Sequence, residues 1–219
     1  MNITIRKATI EDKEFITTAI IEAEKSGSDI ISYCKIFSIS EAEFREILSN
    51  ILDEDFEGQE LCISGYLIAE VDGERAATMG GWLEKESGMT SSMIKSNLLM
   101  HFMDRNKLLD AAPNLKLMNE IDFHRDENSL QIEISYTVDK FRGLGLYGKL
   151  VNERVRLKLE SGKTFEKIQG IVLKNNNSPV NALTKLGFVK AKEKTCTNND
   201  ILNLLPTNTK ILYEKYINN

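Results

Sequence analysis

Apolar and polar positions alternate over Ile3–Lys7 and predict a short strand. Thr9 and Glu11–Asp12 then supply cap-like residues ahead of a helix carrying Phe15, Ile16, Ala19, Ile20 and Ala23. A second helix is predicted from about Ser40 to Leu52. Ser40 and Glu43 have capping-box spacing there, and Phe44, Ile47, Leu48 and Ile51 share one face. The acidic run Asp53–Glu60 reads as a solvated loop. Cys62–Val71 and Arg75–Leu83 are strand-like runs joined at Asp72-Gly73, a pair that tolerates the positive backbone angles of a tight hairpin.

Leu130–Val138 carries the clearest period of two, placing Ile132, Ile134, Tyr136 and Val138 on one side and Gln131, Glu133, Ser135 and Thr137 on the other. A helix from about Leu144 to Glu160 follows, closed near Gly162, and then a strand through Phe165–Leu173. Ser178-Pro179 predicts an N-cap and a first-turn proline, Gly187 closes that short helix, and Phe188 begins another strand. The last strand is predicted at Lys210–Ile217. These elements predict an α/β fold.

The stretch at about 85–128 is too long for an ordinary connection. It carries a helical pattern with Met93, Ile94, Leu98, Phe102, Leu108 and Leu109, read as an insertion that packs on the core or forms a substrate-side lid. His101, on that apolar helix, is expected to be packed. The 219 residues fit one domain over 1–219.

Composition narrows the classes. A net charge of −5 with dispersed lysines and arginines argues against a nucleic-acid surface. Cys34, Cys62 and Cys196 lack metal-ligand spacing and are odd in number, so neither a zinc site nor a disulfide framework is expected. No segment supplies the roughly 20 apolar residues of a membrane span, and a cytoplasmic location without membrane partners is the expectation. Oligomeric state is left open, a homodimer included.

Arg142-Gly-Leu-Gly-Leu-Tyr-Gly148 lies between a predicted strand and a predicted helix. At such a turn several backbone N–H groups have no intrahelical partner and point outward at the positive end of the helix dipole, which suits a phosphate. Gly143, Gly145 and Gly148 also satisfy a dinucleotide-binding spacing. That reading needs an acidic residue at the end of the next strand, where Lys174-Asn175 stands, and more chain than remains.

The stretch Val138–Leu150 resembles the acyl-CoA-binding motif of the GNAT (GCN5-related N-acetyltransferase) superfamily, R/Q-x-x-G-x-G/A. Arg142 and Gly145 match it, while Tyr147 takes the third place with Gly148 just after. Ile5–Asp12 resembles that superfamily's first strand and helix start, and Asn176 through Lys185-Leu-Gly-Phe188 its fourth helix. The resemblance implies a mixed, mostly antiparallel central sheet with helices on both faces. It also implies transfer of an acetyl group from acetyl-CoA to a primary amine, a small molecule or a peptide, by direct attack in a ternary complex. It implies that the strand with the clear alternation and the one after the helix splay apart, with Tyr136, Thr137 and Val138 lining a slot for pantetheine. The pyrophosphate would rest on the amides of Gly143, Leu144, Gly145, Leu146, Tyr147 and Gly148 beside Arg142, and Asn176 would contact CoA or simply form a turn.

Transfer from a thioester to an amine needs a neutral nucleophile, alignment, and donors for a developing oxyanion. The resemblance makes Glu133 the candidate base, with Glu120, Asp122 and His124 as rivals. The superfamily's thiolate-protonating tyrosine corresponds to Leu183. Tyr147 and Tyr136 are the substitutes considered, and a thiolate with a pKa near 8.5 can also take its proton from water. A protein that binds acyl-CoA without turning it over is the alternative.

Overall fold

In the computed structural model, which describes residues 1–217, seven strands form one sheet in the order β1-β2-β3-β4-β5-β7-β6. They are β1 (Ile3–Lys7), β2 (Tyr66–Val71), β3 (Glu74–Leu83), β4 (Leu130–Thr137), β5 (Lys167–Leu173), β6 (Val189–Thr195) and β7 (Thr209–Tyr216). All neighbours are antiparallel except β4 and β5, which are parallel. The helices are α1 (Lys13–Lys25), α2 (Ser32–Phe37), α3 (Glu41–Glu54), α4 (Ser91–Phe102), α5 (Arg105–Asp110), α6 (Ala112–Ile121), α7 (Leu146–Glu160) and α8 (Asn177–Lys185). Among the described residues no helix is long and apolar enough to cross a membrane.

Each face of the sheet has its own core. On one, Ile16, Ile20, Phe44, Leu48 and Ile51 of α1 and α3 join Tyr66 and Ile68, and the insertion adds Leu99, Ile121 and partly buried Leu98 and Phe102. On the other, Leu146, Leu150 and Val151 of α7 and Leu183 of α8 meet Leu67, Met79, Ile132 and Ile168. The alternation of Leu67 and Ile68 between these cores is the two-residue period of a strand buried on both faces.

Local chemistry sets most boundaries. Ser40 Oγ accepts the Glu43 N–H at 3.1 Å to start α3, and the hairpin closes with Asp72 at φ 51° and Gly73 at φ 85°. The entry to α1 is stronger than its sequence suggests. Asp12 is fully buried, accepts the Thr9 N–H, and is bonded by Arg6 and Arg75 from β1 and β3. Burial raises the Asp12 pKa, but these bonds outweigh it and hold the carboxyl well below its usual range.

Several expectations are corrected. Residues 62–65 form a turn instead of strand, closed by the Tyr66 N–H on Ile63 O at 2.9 Å, and only glycine fits at Gly65, where a Cβ would sit 2.8 Å from the Cys62 thiol. The helix expected from Leu144 begins at Leu146, since Gly145 takes the left-handed conformation that precedes it. The cap of α8 is Asn176, two residues before the predicted Ser178. The insertion holds three helices, and its stripe is only partly buried: Ile94 is buried, whereas Met93 and Leu109 are more than half exposed. His101 is exposed and rests edge-on against Phe102.

The alternation along β4 breaks in the middle. Glu133 pairs with Gly80 and Ser135 with Met79, so Ile134 is an extra residue, held at φ 48°. One inserted residue moves every later side chain to the other face. Ile132 therefore joins the α7 core while Ile134 packs on the α1 core, and Tyr136 meets Phe15 of α1 edge-on at 6.1 Å between centroids.

Candidate active site

The parallel pair β4–β5 is joined only at Leu130↔Ile168 and Gln131↔Gln169. The far edge of β5 stays paired with β7 through Leu173, and the far edge of β4 with β3 through Thr137. From Ile132 and Gly170 onward the two strands diverge, leaving a gap whose facing backbone groups have no ladder partner. The Val138 N–H is not among them, since it donates to Ala76 O at 2.9 Å. Thr137 pairs with Ala77.

At the open end of this gap lies the glycine turn. Gly143 (φ 86°) and Gly145 (φ 69°) are both in the left-handed region, and a Cβ on either would meet no atom within 4 Å. Backbone angle, not crowding, calls for glycine there. The N–H groups of residues 143–148 have no protein acceptor among the described residues, the first in α7 to find one being Lys149, on Gly145 O at 3.2 Å. Gly143 and Gly145 are exposed, Leu144 is half-buried, and the Leu146 side chain is buried beneath the turn. Gly148 has another cause: a Cβ there would touch Leu186 at 3.0 Å, so it lets α7 approach the end of α8. Arg142 is exposed and paired with Asp139 at 2.7 Å. The half-buried Asn176 makes no side-chain cap bond.

Glu133 lies just before the bulge, on the α1 face. Arg125 donates from Nε (3.0 Å) and Nη2 (2.5 Å), and both bonds converge on Oε1. No protein donor reaches Oε2 among the described residues, and the side chain is 15% exposed. Burial raises the Glu133 pKa above the usual glutamate value, with Glu60 adding to the rise and Arg125 opposing it. Arg125 also lies over the Trp82 ring, 5.5 Å from its centroid. The insertion contributes Lys95 of α4, which bonds Glu60 Oε1.

The rival bases are otherwise engaged. Asp122 is bonded by Lys210, which overcomes burial and lowers its pKa. Glu120 accepts from the Cys196 thiol at 3.1 Å, and His124 is exposed. Tyr147 packs on the α7 core, on the opposite face from Glu133, and burial pushes its hydroxyl pKa far above neutral. Tyr136 is half-buried against Phe15. Leu183 is 1% exposed and lies in the α7 core beside Gly170.

Sequence reasoning missed Glu60, Lys95 and Arg125 as parts of one site. Glu60 and Lys95 lie 35 residues apart in the chain, Arg125 lies 8 residues before Glu133, and none has a local signature. Glu60 falls in what read as a solvated acidic loop. Arg125 was visible only as a neighbour of His124.

No protein-family model and no curated protein matches the chain. Solved structures do match in shape. An N-acetyltransferase from Staphylococcus aureus aligns over 97% of this chain and 100% of its own, with a TM-score of 0.65 and 14% identity. An acetyltransferase of the GNAT family from Streptococcus pneumoniae aligns over 99% and 100%, with a TM-score of 0.52 and 16% identity. An aminoglycoside acetyltransferase in complex with coenzyme A aligns over 98% and 95%, with a TM-score of 0.53 and 15% identity. The chain has the GNAT acetyltransferase fold.

Proposed function

We propose that this protein is an acetyl-CoA-dependent N-acetyltransferase that passes the acetyl group directly to a primary amine in a ternary complex. The observation that carries this reading is the open gap between β4 and β5, leading from six unpartnered N–H groups at residues 143–148 to the Glu133 carboxylate. A diphosphate held at the turn would place an extended thioester arm along the free edges of the two strands.

At the inner end, Glu133 Oε2 takes a proton from the acceptor ammonium, and the neutral amine attacks the thioester carbonyl. The bulge leaves Ile134 out of the ladder with β3, and its backbone N–H would be suited to the developing oxyanion. As the intermediate collapses, the nitrogen loses its second proton to water and the expelled thiolate takes one from water, leaving the amide and the free thiol. Tyr147 stays a phenol because of its burial, so its role would be to donate a hydrogen bond without giving up the proton.

The alternative, an acyl-CoA-binding protein without turnover, is favoured by Leu183, whose buried aliphatic side chain stands where the superfamily's proton donor is expected. Titration calorimetry with acetyl-CoA, with Gly145→Glu as control, tests the donor site. Tight binding lost in the variant supports it, and equal affinity in both proteins removes it. Thiol release over a panel of amines then separates turnover from storage.

A further inference from the structure

The ionisable groups around Glu133 and its neighbours Glu60, Lys95 and Arg125 come from six parts of the chain. Glu24 of α1 accepts from Ser32 Oγ, Glu60 is bonded by Lys95, Glu133 by Arg125, and Glu84 accepts from Trp82 Nε1 (3.0 Å) and the Ser91 N–H (2.9 Å). Tyr33 lies among them, kept neutral by burial. The Asp122–Lys210 pair lies at the exposed side and balances itself. Four inner carboxylates thus face two cations. Lys95, Arg125 and Glu133 keep 15 to 25% exposure although helices and sheet enclose them, so they line a recess that water can enter.

Two further atoms point the same way. Glu60 is 6% exposed, and its Oε2 has no hydrogen-bond partner among the described residues. Gln131, two residues before Glu133 on the same face, is fully buried, and its Oε1 is also unpartnered. Its Nε2 donates to Ser129 Oγ (2.6 Å) and Gln169 Oε1 (2.9 Å), which fixes which end is oxygen. Both unpartnered atoms are acceptors, and leaving a buried acceptor without a donor is costly. An incoming carboxylate would find both cations already committed and would meet surplus negative charge.

We infer that the acceptor is a diamine or longer polyamine: one nitrogen gives its proton to Glu133 and is acetylated, while a second stays ammonium and donates to Glu60 and the Gln131 oxygen. This rests on the acetyl-transfer reading and names its substrate class. The bond formed is the amide at the first nitrogen, the bond broken is the thioester, and the second nitrogen keeps its charge throughout.

The test compares butylamine, 1,4-diaminobutane and 4-aminobutyrate as acceptors for the full chain with acetyl-CoA. We expect kcat/KM for the diamine to exceed that for either of the others at least tenfold, and Glu60→Gln to lower kcat/KM for the diamine far more than that for butylamine, so that the ratio of the two falls towards one. Equal rates for the monoamine and diamine, or a preference for the amino acid, would overturn the inference. Should Glu60→Gln fail to fold, calorimetry on the wild-type protein decides: 1,4-diaminobutane must bind and butylamine must bind at least tenfold more weakly. Loss of acetyl-CoA binding would instead remove the donor reading, so the two failures are told apart.

Discussion

The glycine turn at residues 143–148 and the ionic recess around Glu133 sit at opposite ends of one gap and are built in contrary ways. The turn is short and contiguous, uses backbone N–H groups, and lies open to water around Gly143 and Gly145. The recess gathers side chains from across the fold, encloses them, and commits its cations in ion pairs with Glu60 and Glu133. The difference teaches where energy is stored. Removing a turn side chain disturbs little else, whereas removing one partner in the recess leaves a desolvated charge without compensation.

The largest expected effect is at the chemistry. Glu133→Gln should lower kcat/KM about 10²- to 10⁴-fold while leaving the acetyl-CoA Kd unchanged. A loss of acetyl-CoA affinity in the same proportion would show the two regions to be one binding surface and break the contrast. Next comes stability: Arg125→Ala, which strips Glu133 of both its donors, should cost about 3 kcal/mol by urea denaturation. The matched change Arg142→Ala, at a side chain 67% exposed, should stay within about 0.5 kcal/mol.

At the turn, Gly145→Glu should weaken acetyl-CoA binding by about 2 kcal/mol, roughly thirtyfold, because it adds a left-handed strain and a like charge. Arg142→Ala should reduce affinity only about threefold and flatten its salt dependence. The smallest effect is a displacement in pH. Since Glu133 must be ionised to act and burial raises its pKa, kcat/KM should fall on the acid side from a higher pH than an ordinary glutamate would give. Glu60→Gln removes a neighbouring negative charge and should move that limb to lower pH, which a pH–rate profile would register. Folding stability runs the other way at this residue. A raised carboxyl pKa contributes stability below the unfolded value near 4.3, and that contribution is lost as pH rises through the folded value.

Strand β4 marks the limit of what a pattern carries. Its period of two is right through Glu133 and places that carboxylate correctly relative to Ile132. The bulge at Ile134 then reverses the later assignments, because a β-branched residue at φ 48° is imposed by pairing with β3 and has no local signature. The hairpin at Asp72-Gly73 and the cap at Ser40 were legible for the opposite reason, since each is decided within four residues.

By itself the sequence determined the seven strands in order, helices α1, α3, α7 and α8, the glycine turn and the fold class, since hydrophobic period, capping and glycine's backbone freedom act over short spans of chain, while α2 and the three separate helices of the insertion went unread. Tertiary structure alone decided that β4 and β5 part company after Gln131, that Leu183 is sealed in a core, and that Glu60, Lys95 and Arg125 surround Glu133. Ion pairing in an enclosed space depends on distance through the fold, and separation along the chain carries no measure of it.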